Sequence, residues 1–193
     1  MKFRSDIDID LADRHQALHL LDHVVASQSR DGRLIAHNTG IYMTDIPVDP
    51  VTGLASIDYV AAEDRGYIKL DLLNVNLYQQ VKDETHLLDL MHRAPSWSRF
   101  NQDQSFFEQL IHVNNHWQVL KKMPEPVDSV ARLAMFLAII RPAKRHLIGQ
   151  KWQEVAKTIW DRNEDSYQFK KSHAVAYAHL VVVNMNLLAG TAD

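Results

Sequence analysis

The sequence predicts an α+β fold, a small mixed sheet in residues 1–74 with a helical part in residues 75–193 packed on it. Three observations predict it. Short segments of strand-like, period-two patterning come first, helical spacing of apolar residues takes over from Val75, and the two kinds of segment do not alternate as they would in a parallel βαβ protein. A chain of 193 residues with 46% hydrophobic and 23% charged residues can bury a real core as one domain or a tight pair of subdomains.

The first element is a strand, Phe3 to Leu11, in which Asp6, Asp8 and Asp10 alternate with Ile7, Ile9 and Leu11. Alternation puts the carboxylates on one face, with neighbours roughly 6–7 Å apart. Such a row is unfavourable unless a cation neutralises it. It reads either as a solvated edge strand or as a carboxylate platform for a divalent metal of the kind phosphoryl-transfer enzymes use. A helix is predicted from Asp13 to Ser27, where Leu18, Leu21, Val24 and Val25 recur at helical spacing. Asp31-Gly32 signals a turn, and Leu34 to Met43 reads as a strand interrupted at Gly40. After a loop containing Pro47, Pro50 and Gly53, strands at Ala55–Tyr59 and Tyr67–Leu72 flank a helical turn at Val60–Arg65. Helices follow at Val75–His92, Phe106–His112, Val127–Ile140, Lys144–Trp160 and Ser172–Leu188, punctuated by Pro95, Pro124, Pro126 and Pro142.

The net charge of −3 argues against a free-standing, high-affinity nucleic-acid binder. The charge is uneven, however. Residues 1–73 hold seven Lys/Arg against twelve Asp/Glu, and residues 141–171 hold eight against four. That polarity suits metal and phosphate handled together, and equally a homo-oligomer or intrachain complementarity. The absence of cysteine excludes disulfides and thiolate zinc sites and points to the cytoplasm. The apolar run at His179–Asn184 is too short to predict a membrane span. Trp97, Trp117, Trp152 and Trp160 sit among helical apolar residues and are expected in the core. His15, His19 and His23 recur at i, i+4 without the carboxylate of a metalloprotease motif, which gives a metal there little support.

Four segments, in order, carry a family resemblance. They are Ser5-Asp6-Ile7-Asp8-Ile9-Asp10-Leu11 with Asp13-Arg14, His37-Asn38-Thr39-Gly40-Ile41-Tyr42-Met43, and Ile57-Asp58 with Glu63 and Gly66-Tyr67-Ile68-Lys69-Leu70-Asp71-Leu72-Leu73. The fourth pairs Ile140-Arg141-Pro142 with Phe169-Lys170-Lys171-Ser172-His173-Ala174-Val175-Ala176-Tyr177-Ala178. Together they resemble the catalytic core of the bacterial replicative polymerase III α subunit, the C family of DNA polymerases, much shortened between the motifs and with Ser5 where the family has proline. The resemblance implies a palm-like, nucleotidyltransferase-like sheet. It also implies two Mg²⁺ ions held by Asp6, Asp8 and Asp71 as the catalytic and metal residues, with Asp10 tuning the site or merely solvated. Two such ions activate the attacking hydroxyl and neutralise the leaving pyrophosphate. Lys69 would meet a phosphate or pair with an aspartate. Arg141, Lys144, Lys170, Lys171 and His173 become candidates for nucleotide or DNA contacts, with Arg145 behind them, and His37 is expected to be a satisfied structural histidine.

The family carries a Gly-Ser-rich loop upstream of its acidic strand that cradles the triphosphate. Counting from Met1, that loop is expected to be missing here. DNA and dNTP binding by the chain alone is therefore expected to be weak, and three outcomes stay open: a split enzyme whose palm loop a partner chain supplies, a reduced protein kept for binding, or a fragment of a longer gene. A compact derivative of this sort suits a phage genome. The reading from another class is a non-catalytic replication accessory, or an oligomeric binding protein, that keeps only the fold.

Overall fold

The computed structural model describes residues 7–161 and 169–190, so Asp6 lies outside the described residues. The chain divides into two compact units, Met1–Val81 and Lys82–Asp193.

The first unit is built on a five-stranded mixed sheet of order β1-β5-β3-β2-β4, where β1 is Ile7–Leu11, β2 Val24–Arg30, β3 Arg33–Tyr42, β4 Leu54–Asp58 and β5 Leu70–Asn74. The pairs β1·β5 and β2·β4 are parallel, while β3 runs antiparallel to both β2 and β5. Asp31 and Gly32, at φ 51° and 74°, form the two-residue turn between β2 and β3. Both residues at positive φ is what the twist of a tight hairpin demands, and Asp-Gly tolerates it.

The helix expected from Asp13 to Ser27 is only half helix. α1 spans Arg14–Leu20, with the Asp13 carboxylate accepting from Gln16 N at 3.0 Å, and the chain then turns into β2. Leu18, Leu21, Val24 and Val25 fit a helical period, but β-branched Val24 and Val25 pack better on a pleated surface, and the β3 ladder supplies their hydrogen bonds. α2 is Tyr59–Asp64, started by Asp58, whose carboxylate accepts from Val60 N at 2.9 Å and from Ser29 N at 2.6 Å.

The interruption expected at Gly40 is a wide bulge. Ser27 pairs with Ala36 and Val25 with Ile41, so residues 37–40 of β3 stand opposite Ala26 alone. On the opposite edge of β3, Gly40 pairs with Asp71 of β5.

The second unit is helical: α3 Glu84–His92, α4 Trp97–Gln102, α5 Gln104–Phe107, α6 Trp117–Leu120, α7 Val130–Ile139, α8 Trp152–Thr158 and α9 Lys171–Gly190, with a 3₁₀ turn at Pro142–Leu147. Three expected helices are broken, each for a local reason. Asp83 caps α3 through His86 N at 2.8 Å, so Val75–His92 becomes a 3₁₀ turn at Asn76–Gln80, still in the first unit, followed by α3. Gly149, at φ 87°, divides Lys144–Trp160 into the 3₁₀ turn and α8. His112, at φ 64°, lies outside any helix, and the Phe106–His112 segment is helical only as far as Phe107. The short helices α4 and α6 carried no sequence signal.

The core of this unit is wrapped around α7 and α9 and includes Phe100, Phe107, Phe136, Trp117 and Trp152, with Trp97 and Trp160 packed against it. By length and composition α9 could cross a membrane, yet half of it is buried inside the protein. It packs on α7 and α3 and buries two asparagines whose partners are protein groups. Asn184 Oδ1 accepts from Ile111 N at 2.9 Å, and Asn186 Nδ2 donates to Leu90 O at 2.8 Å and Arg93 O at 2.9 Å. Those bonds satisfy carbonyls at the end of α3, a role suited to a core helix.

Candidate functional site

Asp8 of β1 and Asp71 of β5 are register partners in a parallel pair. Partners in adjacent strands point to the same face, about 4.8 Å apart at the backbone. Of the three expected metal aspartates, the fold therefore brings these two side by side. Asp10, one step along that face of β1, lies near Tyr78, whose phenol pKa is raised by burial and then by the Asp10 charge. Among the described residues no group of three or more His, Cys, Asp or Glu is placed to hold a metal ion.

The two carboxylates differ in surroundings. Asp8 is exposed, while Asp71 is buried at 8% relative exposure. A buried carboxylate is costly unless it is hydrogen-bonded and paired. The bulge and β5 supply both. Thr39 Oγ1 donates to Asp71 Oδ1 at 2.6 Å, and Lys69 Nζ, two residues back on the same face, forms an ion pair with Asp71 Oδ2. Of the two roles expected for Lys69, its position in this structure is the aspartate pair. Its ammonium also lies 5.7 Å from the centre of the Tyr59 ring, within cation–π range.

His37 holds the bulge together. Its Nδ1 accepts from Gly40 N at 2.9 Å and from Thr39 N at 3.3 Å, which places the ring proton on Nε2. Burial lowers the His37 pKa, and the Lys69 charge lowers it further against the opposing pull of Asp71. With Nδ1 serving as an acceptor, the ring's 3.7 Å approach to Asp71 Oδ1 is not an ion pair. Its edge meets the Tyr59 ring at 5.2 Å between centroids. Gly40 is needed for close approach. A Cβ there would lie 2.7 Å from Lys69 Cδ and 2.9 Å from His37 Nδ1. The sequence reading took Gly40 both as an interruption of the strand and as part of the matched His37–Met43 segment, and its i+3 spacing from His37 was the signal for this arrangement.

Tyr42, two residues beyond Gly40, stands in the matched His37–Met43 segment but was given no role there. Its hydroxyl is buried and has no hydrogen-bond partner among the described residues. Burial, followed by the charges of Asp58, Asp71 and Glu63, pushes its pKa up to about 12.

Two carboxylates offered by neighbouring strands are the hard oxygen donors that magnesium takes, usually with waters and substrate oxygens completing its shell. A cation, the Lys69 ammonium, already rests on one of them, and a Cβ at Gly40 would meet the aliphatic stem of that lysine.

In the helical unit the expected nucleotide-contacting residues divide. The Arg141 guanidinium lies 4.8 Å from the centre of the Phe169 ring, and its Nε is buried without a hydrogen-bond partner among the described residues. Phe169 and His173 approach Tyr177 with ring centroids at 5.6 and 6.4 Å. On Tyr177 stacks His112, at 4.3 Å and 11° between planes. Burial lowers the pKa of His112, and Arg141 lowers it further. For His116 the lowering comes from burial, then Arg145 and Arg141. Lys170 and Lys171 are exposed beside this cluster at the start of α9. Lys144 is engaged elsewhere, its Nζ donating to Thr158 O at 3.0 Å and Asp161 O at 2.8 Å and so closing the end of α8. His112 and His116 carried no sequence motif.

The histidine row does not persist. The rings of His15 and His19 meet at 4.5 Å on α1, but His23 lies beyond that helix with its Nδ1 2.8 Å from Leu21 O.

No protein family, curated protein or solved structure gives a significant match to this chain.

Proposed function

We propose that this chain is a reduced, polymerase III α-like palm protein of the cytoplasm whose activity is divalent-metal-dependent nucleotidyl transfer on DNA. The observation that carries the reading is the register pairing of Asp8 with Asp71 on parallel neighbouring strands. In this reading Asp8 and Asp71 hold Mg²⁺, and Asp6 joins them by resemblance. The bound ions would supply charge neutralisation at the phosphates and activation of the attacking hydroxyl. Thr39 keeps Asp71 oriented through its hydroxyl bond, and His37 fixes the bulge that carries Thr39. Arg141, Lys170, Lys171 and His173 are the groups proposed to meet DNA or nucleotide phosphates.

A second reading has its own support. The Lys69–Asp71 ion pair neutralises the buried carboxylate, as it would in a non-catalytic replication accessory that keeps only the fold.

Thermal unfolding with and without Mg²⁺ or Mn²⁺ separates the two. A metal centre stabilises the native state by about 2.7 kcal/mol when the ion is at 100 times its Kd. Wild type is expected to show this shift and Asp71→Asn to lose it, along with primer extension in any preparation that extends primers. Equal shifts in both proteins, or none in either, would leave the accessory reading standing.

A further inference from the structure

From the geometry around Asp71 we infer that Lys69 is a resident counter-cation that a divalent ion must displace, so that metal binding at Asp8 and Asp71 and release of Lys69 are one event. The inference rests on the metal-centre reading above and adds to it the group with which the metal competes.

Three features argue for it. Both Asp71 oxygens are engaged, Oδ1 by the Thr39 hydroxyl at 2.6 Å and Oδ2 by the Lys69 ammonium. A hydroxyl can share a carboxylate with a metal, because it carries no net charge. An ammonium cannot share it without cost, since two cations on one buried carboxylate repel strongly where the dielectric is low. The lysine is also guided into place. Its aliphatic stem crosses β3 at Gly40, where any side chain would put a Cβ 2.7 Å from Cδ. Finally, the ammonium has somewhere to go. It stands 5.7 Å from the Tyr59 ring, a second attractive contact on the same side of the sheet that would remain if the ion pair opened. His37 does not take over as the counter-ion, because the ring nitrogen nearest Asp71, Nδ1, is already the acceptor for two backbone N–H groups.

The competition makes two measurable statements. Removing the ammonium should tighten metal binding, and adding metal should expose the ammonium. Mn²⁺ binding, followed by electron paramagnetic resonance, is expected to be about tenfold tighter in Lys69→Gln than in wild type, the factor to which 1.4 kcal/mol corresponds. In wild type, acetylation of Lys69 mapped by mass spectrometry is expected to rise several-fold at saturating Mg²⁺, while that of the exposed Lys82 stays constant. If Lys69→Gln and wild type bind Mn²⁺ equally, the counter-cation role is overturned and the metal centre survives. Should neither protein bind Mn²⁺, both fall. Where Lys69→Gln does not fold, the wild-type acetylation decides, and labelling unchanged by Mg²⁺ overturns the proposal.

Discussion

Tyr42 is the residue at which the sheet unit bears a cost without an evident return. Its ring packs with Ala26, Ile46, Ala55 and Ala62, with an edge contact to Tyr67 at 6.1 Å, and its hydroxyl is buried without a partner among the described residues. An unsatisfied buried hydroxyl costs about 1–3 kcal/mol. Tyr42→Phe keeps the ring and removes the hydroxyl, so urea unfolding is expected to find the variant as stable as wild type or up to about 2 kcal/mol more stable. The alkaline limb gives the same residue a second signature. A phenol raised from 10 to about 12 favours the neutral form in the folded state. Its contribution is therefore fully present below pH 10 and is lost as pH rises through 12. Tyr42→Phe is expected to flatten stability over that window. A variant clearly less stable than wild type at pH 7 would mean that the hydroxyl has a partner, such as an ordered water.

Among the elements, α9 and the bulged strand β3 carry most of the structural consequence. α9 is fixed by Asn186, whose amide satisfies the carbonyls of Leu90 and Arg93 near the end of α3, and by Asn184, which accepts from Ile111 N. Truncating Asn186 removes the donor to both carbonyls, that of buried Leu90 and that of Arg93 at the end of α3. Asn186→Ala is expected to cost about 2–4 kcal/mol and to lower the melting temperature accordingly, whereas Val175→Ala on the exposed face is expected to cost well under about 1 kcal/mol. Similar losses from both would remove the bridging role assigned to Asn186. β3 has its consequence through the bulge. It turns a strand position into the loop that places Thr39 and His37 beside Asp71.

At the scale of the whole molecule, the charge division carries into the proposed activity. Residues 1–73 are net acidic and residues 141–171 net basic. Under the proposed reading, binding to primer–template DNA runs through the basic segment and is weak and salt-sensitive, because phosphate contacts release counter-ions. Fluorescence anisotropy is expected to show affinity falling steeply between low and moderate salt. Lys170→Ala with Lys171→Ala should weaken it alike for every DNA sequence and lower the salt slope by about two contacts' worth. An unchanged affinity in that double variant would make the start of α9 a solvated face.

The residues that made the α+β layout legible were those whose signals are local. Asp31-Gly32 announces a hairpin turn, alternation in Ile7–Leu11 announces a strand, and the apolar run before Arg141 announces α7, because each pattern follows from the geometry of one element. Much of the sheet site was legible too. His37, Gly40, Lys69 and Asp71 were all singled out in the sequence, and the fold gathers them at one bulge. Segments whose local pattern served two structures were not legible. Val24 and Val25 fit a helix or a strand, and only the ladder offered by β3 chose between them. Nor could the sequence say that Lys144 closes α8, that His112 stacks on Tyr177, or which of its two expected partners Lys69 takes. Each of these depends on which groups meet across the fold and on how little water reaches them, and burial with its partners is set by tertiary packing rather than by any stretch of chain.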